Sequence, residues 1–504
     1  MDQNQKAEAV DLPRFDAFVN GKPYSPASGA YFDTMDPYAS RVWAHVARCD
    51  AQDVDAAVAA AKAAFESGPW PAMTATQRGA ALRKLGDLLV EHAEELAHYE
   101  VRDNGKLINE MLGQMKYLPQ WYYYYAGLAD KIQGSVIPID KPEMFNYTVY
   151  EPLGVIAALT PWNSPLLLLS FKLAPALAAG NTFVVKPSEF TSTSTLRFAE
   201  LVTEAGIPDG VFNVITGFGA EAGAALVNHR DVAKVTFTGG VETGKRVYED
   251  AAKQMKRCTL ELGGKSPNIV FDDANLDNAV KGVVAGIFAA TGQTCIAGSR
   301  LLVHDSIHDQ FVEKLVSFAK TAKMGNPMDT STEVGPITTP QQYEKVLSYI
   351  AIAKKEGAKI LLGGNPAKGP VTGVCEYFIE PTIFGDVDNS MRIAQEEVFG
   401  PVLSIIRFKD EADAIRIAND IIFGLGAGVW TESIARAMRM SKALKAGTVW
   451  INNYRVLSYM SPFGGYKQSG LGRENGIEAI KDFLQTKSVW ISSASDIPNP
   501  FVLR

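Results

Sequence analysis

From Leu153 onward the chain alternates short apolar runs with longer helical stretches, and this pattern limits the possible folds more than any other feature. GVIAALT (154–160) reads as a buried strand, followed by a helix from Pro165 to Ala179 that Gly180 ends. NTFVVKP (181–187) is the next strand, with a helix running to Ala205. VFNVIT (211–216) and KVTFTG (234–239) repeat the unit, with a helix after each. Continuous apolar strands joined by helices imply a parallel sheet covered on both faces. Ligands on such sheets bind at the carboxyl ends of the strands. A second block, from after Glu261 to about Phe483, again mixes strands (SPNIVF, RLLVHD, PVLSIIRF, GTVWIN) with helices. At 504 residues the chain exceeds a single hydrophobic core. The expected fold class is α/β, with two doubly wound parallel-sheet domains and a small β arm.

Before the first strand, Val54 to Glu100 carries an alanine-rich amphipathic pattern that predicts helices. Trp121 to Tyr125 continues a helical segment, most of whose rings are expected to form a core face. Ile132 to Glu151 alternates polar and apolar residues without a helical period and reads as an extended arm or hairpin. With KSVWIS (487–492), it is a candidate for pairing between subunits. The expected units are 1–132 with 153–262, then 263–483, and an arm of 133–152 with 484–504.

Composition removes several classes of function. Lys and Arg total 49 against 56 for Asp and Glu, a net charge of -7 without a long basic run, so no nucleic acid is expected as partner. The start, MDQNQKAEAVDLPRF, lacks the apolar run of a signal peptide. The most apolar stretch, Leu153 to Phe171, is interrupted by Pro161, Asn163 and Pro165 and followed by Lys172, which suits a buried strand and helix and not a membrane span. Four cysteines, at 49, 258, 295 and 375, form no CxxC pair, so a cytoplasmic setting is expected and no metal site. His304 and His308 have metal-ligand spacing but no further partner, and are expected on an exposed helix surface.

Four segments carry candidate chemistry. In GQTCIAGSR, Cys295 sits where Gly292 and Gly298 let a ligand approach the backbone; a buried inert thiol is the plainer alternative. In LELGGKSP, Glu261 ends an apolar strand beside two glycines, which suits a general base, or a surface salt bridge. In LTPWNSP, Asn163 follows a strand and opens a helix, where its amide can face an oxyanion or merely cap the helix. In VVKPSE, Lys186 and Glu189 lie just past a strand and suit an adenosine ribose. GFGAEAG (217–223) and FTGGVETG (237–244) are glycine-rich turns into helices that can meet phosphates.

Read in order, LTPWNSP, KPSE, FTGGVETG, LELGGKSP, GQTCIAGSR, EEVFGPV and SPFGGYKQSGLGRE resemble the aldehyde dehydrogenase superfamily over nearly the whole chain. The resemblance implies a Rossmann-like cofactor domain, a catalytic domain and a β oligomerisation arm, assembled as a homodimer or homotetramer. It implies Cys295 as nucleophile and Glu261 as general base, with Asn163 and the Cys295 N–H as oxyanion hole. Lys172 and Glu474 match positions that support proton traffic behind the base. The cofactor would meet Trp162, Lys186, Glu189, Gly219, Phe237, Thr238, Gly239, Gly240, Leu262, Glu397 and Phe399. Gly240 departs from the family, which often has Ser there. The implied substrate pocket comprises Tyr117, Ser164, Leu168, Phe171, Thr294, Ile296, Arg455, Leu457 and Phe463.

The implied reaction oxidises an aldehyde to an acid through a cysteine thioester, with NAD favoured over NADP because Glu189 should repel a 2′-phosphate. Arg455 suits a carboxylate-bearing or strongly polar aldehyde, such as a semialdehyde from ring catabolism; an Arg turned to solvent or paired at a subunit contact is the alternative. Rival readings are a cysteine esterase or thioesterase, which lacks an evident His base, and a coenzyme-A-acylating relative, against which Glu261 argues. A non-catalytic binding protein on the same fold would normally have lost the thiol or the base.

Overall fold

The computed structural model describes residues 12–367, 376–496 and 499–501; Cys375 and the end of the expected arm lie outside them. The first sheet has eight strands, ordered Gly470–Leu471, Arg257–Glu261, Val232–Thr238, Val155–Leu159, Thr182–Lys186, Phe212–Val214, Ala17–Val19 and Lys22–Tyr24. Its central five strands are parallel. Both edges are antiparallel additions from distant parts of the chain. Val155–Leu159 and Thr182–Lys186 are buried at every residue, as VIAAL and the FVV centre of the second strand suit a sheet covered on both faces. The chain steps outward from Val155–Leu159 to Phe212–Val214, then returns to Val232–Thr238 on the other side. The direction of winding therefore reverses beside Leu159 and Thr238, which is where an open sheet offers a crevice.

The second sheet orders Lys359–Leu362, Thr382–Gly385, Val402–Phe408, Arg300–His304, Pro267–Val270, Gly426–Trp430 and Thr448–Ile451. All its pairs are parallel except the first. Helix Pro165–Ala178, apolar on nearly every side, is buried between the first sheet and the helices Ala75–Glu91 and Pro119–Leu128. Trp121, Tyr122 and Tyr125 are buried there as the sequence pattern predicts. Side-chain capping boxes at Asp50 and Thr74 start the helices Ala51–Glu66 and Ala75–Glu91.

The expectation for His304 and His308 is corrected, and two others gain detail. A helix does follow VFNVIT, as a π turn, Gly219–Gly223, running into the short helix Ala224–Asn228. At its start Gly217 holds φ +123°, where a Cβ would lie 2.9 Å from the Cys49 carbonyl. His304 and His308 do not share a helix surface, because the turn Asp305–Ile307 separates them. His304 ends a strand, whereas His308 opens a helix, is buried, and has Nδ1 2.8 Å from Asp309 Oδ1. Within the chain, Leu484–Ser492, which holds KSVWIS, runs antiparallel to Met144–Pro152, which also pairs with Val136–Ile137, and it stays at the edge of that three-stranded sheet. Among the described residues no group of His, Cys, Asp and Glu is placed to hold a metal, and no helix is long and apolar enough to cross a membrane.

Candidate active site

The crevice between the two sheets holds a cavity of about 180 Å³ lined by Trp162, Asn163, Leu168, Glu261, Leu262, Cys295, Glu397, Phe399 and Phe463. They come from several strand ends and loops, with Leu168 on helix Pro165–Ala178. Asn163 ends the loop after Val155–Leu159, Glu261 is the last residue of its strand, and Cys295 follows the turn Ala289–Gly292. Capping does not explain Asn163: the N-cap of helix Pro165–Ala178 is Ser164, which makes no side-chain cap bond. Glu100, from a different helix, accepts the Leu166 N–H at 2.9 Å instead. The Asn163 amide donates to the Gln293 carbonyl at 3.1 Å, two residues before Cys295.

The loop carrying Cys295 is held in a costly shape. Ala290 and Thr291 both have φ +53°, and Gly292 follows at +68°. Left-handed non-glycine residues cost about 1–3 kcal/mol each and persist only where the surroundings fix them. Here the Ala290 N–H donates to Glu110 Oε1 at 2.6 Å, and Thr291 Oγ1 donates to the Gly335 carbonyl at 3.2 Å. Gln293 is held at its side chain by the Thr338 N–H at 2.9 Å. Any Cβ at position 292 would lie 2.1 Å from the Gly400 carbonyl.

Both carboxylate oxygens of Glu261 are buried without a hydrogen-bond partner. Burial, followed by the charge of Glu474, pushes its carboxyl well above the usual range, while Lys172 and Arg473 pull it down. Lys172 is fully buried; its Nζ bonds Glu474 Oε1 and donates to Thr238 Oγ1 at 2.6 Å. Burial also pushes the Cys295 thiol up to about 12, with Glu397 and Glu261 adding to the shift and the Ile296 and Cys295 N–H groups opposing it. Two proton-holding groups thus share one cavity.

A second groove of about 630 Å³ opens from the same cavity and is lined by Trp162, Lys186, Glu189, Gly219, Phe237, Thr238, Gly239 and Gly240. All eleven cofactor candidates therefore line one continuous crevice. Its shape fits a dinucleotide. Lys186 and Glu189 pair at 3.2 Å at one end. Near the cavity, Glu397 Oε1 accepts the Gly264 N–H at 3.1 Å, and a Cβ on Gly263 would lie 2.3 Å from the same carboxylate. A Cβ on Gly240 would meet no atom within 4 Å, so its missing side chain leaves room and no clash. Phe399, at φ +59°, packs edge-on to Trp162. Its carbonyl accepts from Gln342 Nε2 at 2.9 Å.

The substrate candidates divide into a wall and outlying members. Leu168 and Phe463 line the cavity, and Phe171 lies behind them, stacked on Trp121 and edge-on to Phe463. Tyr117 lies at the surface against Trp121 and Tyr459. Thr294 is half-buried next to Cys295, and Leu457 packs on the core. Ile296 is buried and its carbonyl accepts the Tyr454 hydroxyl at 3.0 Å. Arg455, half-buried at φ +69°, donates from Nη1 to the Ala285 carbonyl at 3.1 Å, near the end of helix Leu276–Ile287. Ser164 accepts from Lys106 Nζ at 3.1 Å. Lys106, Glu110 and Gln342 belong to the site yet were not read from the sequence. Gly105, left-handed at φ +71° in DNGKL, is the one local signal that the chain turns inward there.

Residues 24–489 match the family model described as the aldehyde dehydrogenase family. A dehydrogenase of Acinetobacter baylyi, named for (Z)-2-((N-methylformamido)methylene)-5-hydroxybutyrolactone, is 46% identical over 98% of this chain and all of its own. An aldehyde dehydrogenase of Emericella nidulans is 48% identical over 94% of each chain. Among solved structures, a betaine aldehyde dehydrogenase of Staphylococcus aureus in complex with NAD+ superposes with a TM-score of 0.95 at 42% identity, covering 97% of this chain and 99% of that one. The NAD+ complex of an aldehyde dehydrogenase from Bacillus cereus gives 0.93 at 46% identity, covering 95% and 96%. Crevice, motif order and relatives agree, and the chain belongs to the aldehyde dehydrogenase family, whose members oxidise aldehydes with NAD(P).

Proposed function

We propose that this protein oxidises a carboxylate-bearing or similarly polar aldehyde to its acid through a thioester on Cys295. One observation carries the reading: the Cys295 thiol, the Asn163 amide and the unpartnered Glu261 carboxyl line a single cavity. NAD, when bound along the crevice, accepts the hydride and brings a positively charged nicotinamide ring. Cys295 sulfur bonds to the aldehyde carbon as its proton leaves for a base. The Asn163 amide and the Cys295 N–H then hold the oxyanion; one such donor contributes about 3–4 kcal/mol in acyl-transfer sites. The hydride departs from the carbon, its electron pair with it, and the carbonyl re-forms as a thioester. Glu261 takes a proton from water, whose oxygen attacks the thioester carbon; the acid leaves and sulfur regains a proton. Trp162, Glu397 and Phe399 would hold the nicotinamide half, and Lys186 and Glu189 the adenosine ribose. Glu189 supports NAD over NADP, which comparing kcat/KM for the two checks.

Substrate charge is read from Arg455, the one cation among the sequence-derived pocket residues. The Acinetobacter relative's name supports the same class, because a 5-hydroxybutyrolactone is the ring-closed form of a 4-oxo acid. Replacing Arg455 with Leu should raise KM for an anionic aldehyde much more than for a neutral one; equal changes would refute the role. Cys295→Ala should abolish NADH formation on an aldehyde panel while cofactor binding persists, and near-normal turnover would sink the assignment. The arm leaves Phe145, Trp490 and Ile491 exposed, which supports a homodimer or homotetramer that light scattering can resolve. Cys49, Cys258 and Cys295 are free thiols, which suits the cytoplasm.

A further inference from the structure

A closed circuit of hydrogen bonds surrounds the loop junction behind the cavity. Lys106 Nζ donates to Ser164 Oγ at 3.1 Å, and Ser164 adjoins Asn163. The Asn163 amide donates to the Gln293 carbonyl at 3.1 Å. Gln293 Oε1 accepts the Thr338 N–H at 2.9 Å, and Thr338 Oγ1 donates to the Asn104 carbonyl at 2.6 Å. Asn104 Oδ1 accepts the Lys106 N–H at 2.9 Å and completes the circuit. Lys106 itself is buried, 3% exposed, on the short segment between helices Ala93–Asn104 and Ile108–Tyr117. An ammonium so buried is costly unless a specific bond retains it. Its stem reaches past the helices to a single hydroxyl next to Asn163.

We infer that Lys106 is a positioning residue that fixes the Asn163 amide for the oxyanion by tethering Ser164. This rests on the assignment of Asn163 as an oxyanion donor. The Asn163–Ser164 turn precedes a helix whose Leu166 N–H is met by Glu100, so Ser164 makes no capping bond and its hydroxyl serves the tether. Without the tether, Asn163 keeps its bond to Gln293 but the turn can tilt, and a misplacement of about 1 Å costs about 100-fold in rate. Cofactor binding uses other parts of the crevice and should not change.

The test is a mutant cycle on the full-length enzyme, reading the single-turnover rate of NADH formation and, separately, the KM for NAD. Lys106→Met should slow hydride transfer by about 10–100-fold with the KM for NAD within about threefold. Asn163→Ala alone should slow it by about 100–1,000-fold, and adding Lys106→Met to it should cost little more, because the lysine acts through that amide. If Lys106→Met does not fold, Ser164→Ala removes the same bond's acceptor and carries the cycle, with Ser164→Thr expected to restore the rate. Full multiplication of the Lys106 and Asn163 effects, or a wild-type rate in Lys106→Met or in Ser164→Ala, overturns the tether. An unimpaired Asn163→Ala enzyme would instead overturn the underlying assignment of the oxyanion donor.

Discussion

Two substitutions behind Glu261 should move the same pH profile in opposite directions. Its carboxyl is raised by burial and then by Glu474, and lowered by Lys172. In the proposed role of general base it must be ionised, so thioester hydrolysis should fall tenfold per pH unit below its pKa. Lys172→Met removes a lowering charge and should carry the acid limb to higher pH. Glu474→Gln removes a raising charge and should carry it lower. A charge within about 4–6 Å moves a carboxyl's titration by about 1–3 pH units, which sets the scale of the displacement expected for each variant. The assay accumulates acyl-enzyme at excess aldehyde and NAD, and follows decay of the Cys295 thioester by mass spectrometry between pH 5 and 9. Lys172→Met also strands Glu474 in a buried pair, at a cost of about 3–5 kcal/mol, so its melting should be checked first. Limbs moving the same way, or neither moving, would refute the coupling of this pair to Glu261.

Gly240→Ser should fold normally, because open space surrounds the position and its backbone at φ -71° suits an N-cap; tighter NAD binding measured by fluorescence titration is expected. Gln342→Leu removes the amide that holds the Val398 and Phe399 carbonyls, so left-handed Phe399 should relax; hydride transfer should slow by about tenfold or more while thioester hydrolysis is spared. Gly464→Ala places a Cβ 2.8 Å from Glu261 Oε1, at φ +154°, and should impair hydrolysis more than NADH release in the first turnover, which a burst experiment separates.

The strands and the crevice were legible because both depend on local pattern. Fully buried parallel strands read as unbroken apolar runs, and the motif residues lie where those runs stop. What sequence could not show is which remote groups hold the motif residues in place. Glu100 caps the helix after Asn163, Glu110 braces the turn before Cys295, and Gln342 fixes Phe399, each from an element with no motif of its own. Such contacts are set by packing between helices far apart in the chain, which periodicity does not encode. His304 and His308 fail for a related reason: i, i+4 spacing means proximity only inside one helix, and a strand end intervenes. Arg455 was singled out by its place in the resemblance and its residue type, and its bond to the Ala285 carbonyl needed coordinates.

The edge strand Gly470–Leu471, which pairs with the Glu261 strand, is a late arrival in biosynthesis. The Glu261 strand leaves the ribosome about 200 residues earlier, which at about 5–20 residues per second leaves its edge open for about 10–40 s. An unpaired edge invites pairing with other chains. The half of the protein that carries Glu261 is therefore vulnerable to aggregation until the other half has been made, and truncations before Gly470 should be found in inclusion bodies rather than as a folded fragment.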